Sequence, residues 1–336
     1  MIKKNVAVVG FGFMGMMHTA NILKSKKMNL VAIVSKHPAK VLDKIESDTG
    51  NFDTADLSVS QLQNLPKYAS LKDCLQYEQL DAVFICTHTD LHFELTREAL
   101  AAGLHVFLEK PMVLEEAEGK LLIDLAKEQS RIFMVGHVLR FMPPYQRIRQ
   151  WVEEKTYGSL KFISLNRFSG LPTWGQWKEK QQARGSSGGA LFDLLIHDID
   201  FAQYLLGIPE SISVNNLPGR LSDHDYIQAL WQYHDKEARV SIEGGNTFHS
   251  QFPFQAGIKA VFEKASANYS TEQPNVIRVA NNETVVDIDL SEEVDGFVAE
   301  VEYFADCISG NQLPERCLPE SSLETIRLCH NHINKQ

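Results

Sequence analysis

Three groups of residues in this chain of 336 residues have types and spacings that could do chemistry. The first is Gly10-Phe11-Gly12-Phe13-Met14-Gly15, directly after the apolar run Val6-Ala7-Val8-Val9. Between a strand and a helix, the first glycine of G-x-G-x-x-G permits a tight turn. The second lets the backbone approach a pyrophosphate, and the third lets helix and strand pack closely. The helix N-terminus that follows offers unpaired N–H groups and partial positive charge to phosphate. The spacing therefore predicts a dinucleotide site along Gly10, Gly12, Phe13, Met14 and Gly15. About twenty residues on, an acidic side chain would ordinarily take the adenosine ribose hydroxyls. This chain has Ser35-Lys36-His37 there. A hydroxyl and a cation suit a 2′-phosphate, so the expected cofactor is NADP or NAD, with NADP preferred.

The second group lies where two strand-like runs end. One run exits into Thr87-His88-Thr89-Asp90-Leu91-His92, the other into Glu109-Lys110-Pro111. Ligands of doubly wound sheets bind outside the carboxyl ends of the strands. A lysine there can donate a hydrogen bond to an alcohol or carbonyl oxygen and favour charge developing on it. Taken alone, a strand-end lysine before a proline is more often a surface residue than a functional one.

The third group is Gly188-Gly189-Ala190-Leu191-Phe192-Asp193-Leu194-Leu195-Ile196-His197-Asp198-Ile199-Asp200. On a helix Asp193 and His197 share a face, with Asp200 as a neighbour. The positions between are mostly apolar, so the helix is expected to be buried, and a buried carboxylate beside an imidazole pairs with it. Such a pair suits proton transfer near neutral pH, and it suits a purely structural role as well. Just before this helix, Trp174 and Trp177 offer aromatic faces to the C–H faces of a sugar, or ordinary packing. Lys178 and Arg184 are cations within reach of a phosphate group in the same stretch.

The elements that must position these residues follow from apolar patterning. Short continuous runs at Asn5–Gly10, Leu30–Ser35, Asp81–Thr87, His105–Glu109 and Arg131–His137 read as strands buried on both faces. Helical patterns at Met14–Lys24, Leu91–Ala102 and Leu114–Gln129 alternate with them. This is the βαβ signature of a Rossmann-type, doubly wound parallel sheet over residues 1–140. A helix at Tyr145–Glu154 and a strand at Leu160–Arg167 come next. A helix over Ala190–Leu206 precedes strand-like runs at Ser211–Asn216, Tyr226–Tyr233, Ala238–Gly244, Gly257–Glu263 and Val285–Leu290. Residues 141–336 are therefore expected to form an α+β domain with a mostly antiparallel sheet. Two C-terminal helices, Asp295–Ser309 and Glu320–Asn334, are expected to pack back on the body.

Bulk properties exclude several classes. A formal charge of −10 argues against a nucleic-acid binder. Five cysteines at irregular spacing, with no C-x-x-C, argue against a disulfide framework or a zinc site. No metal is expected. The apolar run at the N-terminus is too short for a signal peptide or a membrane span. A cytoplasmic protein acting on a small molecule is the expectation.

Together, the glycine loop, Glu109-Lys110-Pro111 and the Gly-Gly-x-x-x-Asp-x-x-x-His-x-x-Asp helix resemble the glucose–fructose oxidoreductase/inositol dehydrogenase/rhizopine-catabolism family, Gfo/Idh/MocA. The likeness runs over nearly the whole chain. It implies a Rossmann domain followed by an α/β domain whose large open sheet forms a homodimer or homotetramer interface. It implies hydride transfer between nicotinamide and a carbon bearing a hydroxyl, on a sugar, polyol or sugar derivative. His197 would then donate or accept the proton, Asp193 would orient it or bind substrate, and Lys110 would bind the reacting oxygen. Thr87, His92 and Glu109 would lie along the cofactor, and the Lys110–Pro111 bond would be cis.

The chain departs from the family pattern at the missing acidic residue after the second strand. It departs also at His88, where proline or asparagine is common, and at His137, where asparagine is frequent. Both histidines adjoin the expected cofactor site, where they either alter its charge and fit or act as neutral replacements. Two other functions remain open: a non-catalytic dinucleotide sensor, and a reductase of a non-sugar carbonyl or dihydrodiol.

Overall fold

Short apolar strands and amphipathic helices alternate in the first part of the chain. The computed structural model describes residues 3–47, 57–171, 189–220 and 222–334. Its first elements are β1 (Lys4–Val9), α1 (Phe13–Lys24), β2 (Met28–Val34), α2 (Val41–Ser47), α3 (Val59–Leu62), β3 (Lys67–Tyr68) and α4 (Leu71–Tyr77). They continue with β4 (Ala82–Ile85), α5 (His92–Ala101), β5 (His105–Glu109), α6 (Glu116–Glu128) and β6 (Phe133–Gly136). The strands form one parallel sheet in the order β3-β2-β1-β4-β5-β6. Strand order therefore reverses between β1 and β4, which is where such sheets bind ligands. All four residues of β4 and of β6 are buried, so helices cover both faces.

The chain divides into two compact units, residues 1–137 with 297–323, and residues 138–296 with 324–336. Helix α9 (Gly296–Gly310) lies almost wholly in the first unit, and α10 (Pro319–Asn334) begins there and ends in the second. Within the first unit, Phe304 of α9 packs edge-on against Phe84 and Phe107 at 5.5 and 5.8 Å between ring centroids.

The second unit starts with α7 (Pro143–Glu154) and β7 (Leu160–Gly170). After α8 (Ile196–Leu206) come β8 (Ser211–Leu217), β9 (Tyr226–Gln232), β10 (Arg239–Phe248), β11 (Gln255–Phe262), β12 (Ser266–Ser270), β13 (Val276–Ala280) and β14 (Val285–Asp289). They form an eight-stranded sheet in the order β14-β13-β12-β11-β7-β10-β9-β8. Every pairing is antiparallel except β7 with β10. The alternation of buried and exposed residues along β9 marks a sheet with one covered face and one open face.

Three local expectations are corrected. Leu191–Leu195 is a π turn set between the helical residues Gly189 and Ala190 and the α-helix Ile196–Leu206, so Ala190–Leu206 is helical but not α-helical throughout. A π turn closes i→i+5 bonds, one residue wider than an α-helical turn, and Asp193 sits within it. β7 runs on to Gly170, three residues past the expected end at Arg167. β12, β13 and the two-residue β3 were not expected at all. Among the described residues, no helix is long and apolar enough to cross a membrane.

Candidate active site

The glycine loop joins β1 to α1. Gly10 has φ +92°, and a Cβ on it would lie 2.6 Å from the carbonyl oxygen of Cys86. A Cβ on Gly15 would lie 2.0 Å from the carbonyl oxygen of Gly10. Both glycines are thus demanded by the chain itself. Gly12 differs: among the described residues, a Cβ there would meet nothing within 4 Å. The fold tolerates a side chain at Gly12, so its absence keeps clear a space outside the protein. Gly12 is the N-cap of α1, with no side-chain cap and no acidic residue in the first turn. The space beside Gly12 thus adjoins a helix N-terminus, where backbone N–H groups and partial positive charge suit an anion. The Nζ of Lys44 on α2 steadies the loop by donating to the carbonyl of Phe11 at 2.9 Å. Phe13 and Met14 are half-buried on the first turn of the helix. These features fit a dinucleotide pyrophosphate.

The neighbouring strand ends carry the other expected residues of this unit. Ser35 follows β2, and its backbone N–H donates to the carbonyl of Tyr68 at 2.9 Å. Lys36 and His37 are exposed. Thr87 is half-buried and His88 exposed after β4. His92 is buried between two carbonyl oxygens, with Nδ1 2.7 Å from Pro111 O and Nε2 3.2 Å from Thr87 O. Burial pushes its pKa down despite those two carbonyls. The neutral ring has one N–H to give, and the shorter contact takes it. His92 thus links the segments that follow β4 and β5. His137, at the end of β6, is buried with Nε2 2.8 Å from the Ser322 hydroxyl.

Lys110 is half-buried, and its peptide bond to Pro111 is cis. The carboxylate of Glu109 turns inward. Its Oε1 lies 2.6 Å from His18 Nε2, and its Oε2 accepts the backbone N–H of Lys110 at 3.2 Å. Burial alone would raise the Glu109 pKa, but the hydrogen bond and charge of His18, with the charge of Lys110, bring it below the usual carboxylate value. Nearby, burial pushes the Cys86 thiol well up, reinforced by Glu109 and Glu300.

In the second unit, Asp193 and His197 are both half-buried, one in the π turn and the other on the first turn of α8. Two ion pairs anchor the helix around His197. Arg167 of β7 binds Asp198 through Nε at 2.7 Å and Nη2 at 3.2 Å. Arg140 binds Asp200 through Nε at 2.8 Å and Nη2 at 2.6 Å. The Thr325 hydroxyl adds a 2.9 Å bond to Asp200. Asp200, expected to neighbour Asp193 and His197, is thus committed to Arg140. Burial raises the Asp198 pKa, and Arg167 opposes that shift. Trp174, Trp177, Lys178 and Arg184 lie outside the described residues.

Sequence reading missed His18, Arg140 and Arg167. One signal was available for His18: it shares an otherwise apolar helix face with Gly15 and Ile22, and a buried imidazole requires a partner.

Comparison with known proteins adds the lineage. Residues 4–137 match the model of the oxidoreductase family with an NAD-binding Rossmann fold, and residues 145–270 match the GFO/IDH/MocA C-terminal domain. An uncharacterized oxidoreductase of Synechocystis is 28% identical over 62% of this chain, a match that spans 53% of that protein. The inositol 2-dehydrogenase of Rhizobium meliloti is 24% identical over 82% of this chain and 78% of its own length. A solved oxidoreductase from Agrobacterium radiobacter, in complex with NAD+, L-tartaric acid and magnesium, shares the fold with a TM-score of 0.82. It is 16% identical, with 100% of this chain and 98% of the other covered. The two family matches together span most of the chain, and the protein belongs to the Gfo/Idh/MocA family of NAD-binding oxidoreductases.

Proposed function

We propose that this protein transfers hydride between a nicotinamide dinucleotide and a secondary alcohol or carbonyl carbon of a sugar, polyol or sugar derivative. The observation that carries the reading is Gly12, a glycine that opens on empty space at an uncapped helix N-terminus. The loop from Gly10 to Gly15, with Phe13 and Met14, holds the pyrophosphate. Ser35 and Lys36 receive the adenosine ribose, and their hydroxyl and cation favour NADP over NAD. Thr87 and His88 border the site. The buried side chains of His92, Glu109 and His137 shape it from behind.

A bound nicotinamide supplies the position that takes up or returns the hydride. Lys110 donates a hydrogen bond to the reacting oxygen and stabilises negative charge on it. His197 accepts the hydroxyl proton as the alcohol becomes a carbonyl, and returns it in the reverse direction. Asp193 orients His197 or binds the substrate. Trp174 and Trp177 belong to the substrate loop in this reading. We further place the protein in the cytoplasm as a homodimer or homotetramer, associating through the open face of the eight-stranded sheet. Exposed Leu230 on β9 and Val261 on β11 support an apolar contact there.

The test begins with NADH and NADPH binding by fluorescence titration. A panel of sugars, inositols and sugar phosphates then identifies a substrate. Lys110→Ala and His197→Ala should each lower kcat by about 100-fold or more. Unchanged turnover in both overturns the mechanism. Tight cofactor binding with no turnover across the panel points instead to a sensor.

A further inference from the structure

His18, Glu109 and Glu300 meet in the interior of the first unit, with one donor atom from each within 4.8 Å of the others. His18 and Glu300 are fully buried, and Glu109 nearly so. The cluster resembles a metal site, but the contact between His18 and Glu109 is too short for one. Two donors on one ion, each about 2.0–2.2 Å from it, stand about 3 Å apart or more. The 2.6 Å separation of His18 Nε2 and Glu109 Oε1 is a charge-assisted hydrogen bond.

The direction of that bond is set by its surroundings. A carboxylate oxygen only accepts, so Nε2 carries the proton. Among the described residues Nδ1 has no hydrogen-bond partner, and the ring packs among Phe84, Phe107 and Phe297 at centroid distances of 5.7, 4.9 and 6.5 Å. His18 stands one turn inside the helix whose N-terminus faces the pyrophosphate site. The other oxygen of Glu109 accepts the Lys110 backbone N–H at 3.2 Å. One continuous chain of contacts therefore runs from α1, through His18 and Glu109, to the main chain of Lys110.

We propose that His18 is a positioning residue for Lys110: it holds Glu109 as a fixed anion, and Glu109 sets the main chain of Lys110. This inference rests on the reading of Lys110 as the group that meets the reacting oxygen. It goes beyond that reading by tying Lys110 to the cofactor helix. Displacement of a reacting group by about 1 Å can cost about 100-fold in rate, so loss of this brace should register in kcat rather than in cofactor affinity.

The experiment compares His18→Leu, His18→Gln, Glu109→Gln and Lys110→Met with the unaltered chain, using the best substrate of the panel above. His18→Leu should bind NADPH within about threefold of the unaltered chain and lose about 10- to 100-fold in kcat, with a shifted pH profile and little change in KM. His18→Gln keeps an N–H donor and should recover most of the loss. Unchanged kcat and pH profile in His18→Leu, while Lys110→Met is inactive, overturns the positioning role and leaves the reading of Lys110 standing. Full activity in Lys110→Met overturns that reading, and this inference falls with it. Equal losses in His18→Leu and His18→Gln with an unmoved pH profile mark His18 as merely structural. Should His18→Leu not fold, nitrogen-15 NMR of the unaltered chain decides. An Nε2-bonded proton on His18, weakened in Glu109→Gln, is expected; an Nε2 that carries no proton overturns the proposal.

Discussion

Arg167 and Asp198 form a buried ion pair with two contacts, 2.7 Å from Nε and 3.2 Å from Nη2, immediately beyond His197 in the chain. Nη2 also lies 3.4 Å from the Tyr145 hydroxyl, so β7 and α7 both hold the first turn of α8. Breaking a buried pair from one side leaves a charge without compensation and costs about 3–5 kcal/mol. Arg167→Met or Asp198→Asn should each lower stability by that order. The double variant Arg167→Met/Asp198→Asn should lose less than the sum. A double-mutant cycle in urea measures the difference, and simple additivity would refute coupling.

The three glycines of the loop should fail in different ways. Gly15→Ala and Gly10→Ala collide with backbone and should destabilise the first unit itself. Gly12→Ala meets nothing within 4 Å among the described residues and should fold with an unchanged melting temperature. Its methyl group should still weaken NADH and NADPH binding by about tenfold or more, since the second glycine serves the approach to pyrophosphate. Thermal melts beside fluorescence titrations separate the two effects. Undiminished binding in Gly12→Ala would mean that the space is not used by a dinucleotide.

Cofactor choice should turn on the end of β2. Ser35→Asp supplies the carboxylate that ordinarily takes the ribose hydroxyls and repels a 2′-phosphate. The ratio of NADPH to NADH affinity should fall by about tenfold or more in titrations of the variant. An unmoved ratio would place the discrimination elsewhere in the unit.

Acid should weaken the protein through His105. Burial first, then the charges of Arg131 and Lys4, bring its pKa down to about 4. The backbone N–H of Ile132 donates to its Nδ1 at 2.9 Å, so protonation would break that bond. An unfolded histidine takes up its proton near about 6.5. The unfolded chain therefore binds a proton that the folded chain refuses. The stability from this group is complete above about pH 6.5 and is lost as pH falls toward about 4. Urea midpoints measured across that window should fall more steeply than those of His105→Asn, which keeps an acceptor without titrating. Parallel curves would remove His105 from the acid response.

Local signals were legible in the sequence, and contacts between distant residues were not. The strand His105–Glu109 and the loop Gly10–Gly15 are written in consecutive residues, and both lie where the pattern puts them. The pairing of His18 with Glu109 spans 91 positions and leaves no local trace beyond a polar residue on an apolar stripe. The spacing of Asp200 marked it as a neighbour of Asp193 and His197 on a helix. Its ion pair with Arg140, 60 positions away, left no such local mark. The π turn at Leu191–Leu195 inserts a register change into an unbroken apolar pattern. Strands β12 and β3 escaped notice because Ser266-Ala267-Asn268-Tyr269-Ser270 is largely polar and Lys67-Tyr68 is only a pair.

The first compact unit is discontinuous, and this affects its synthesis. Residues 1–137 leave the ribosome without residues 297–323, whose Phe304 packs on Phe84 and Phe107 and whose Glu300 completes the buried cluster with His18 and Glu109. At about 5–20 residues per second, that delay is on the order of 10–30 s. A nascent chain of this protein therefore passes through an interval in which its dinucleotide-binding half has every strand but not its closing helix. During that interval, aromatic surface meant for the interior is open to chaperones, and the dinucleotide-binding half matures only once residues 297–323 have emerged.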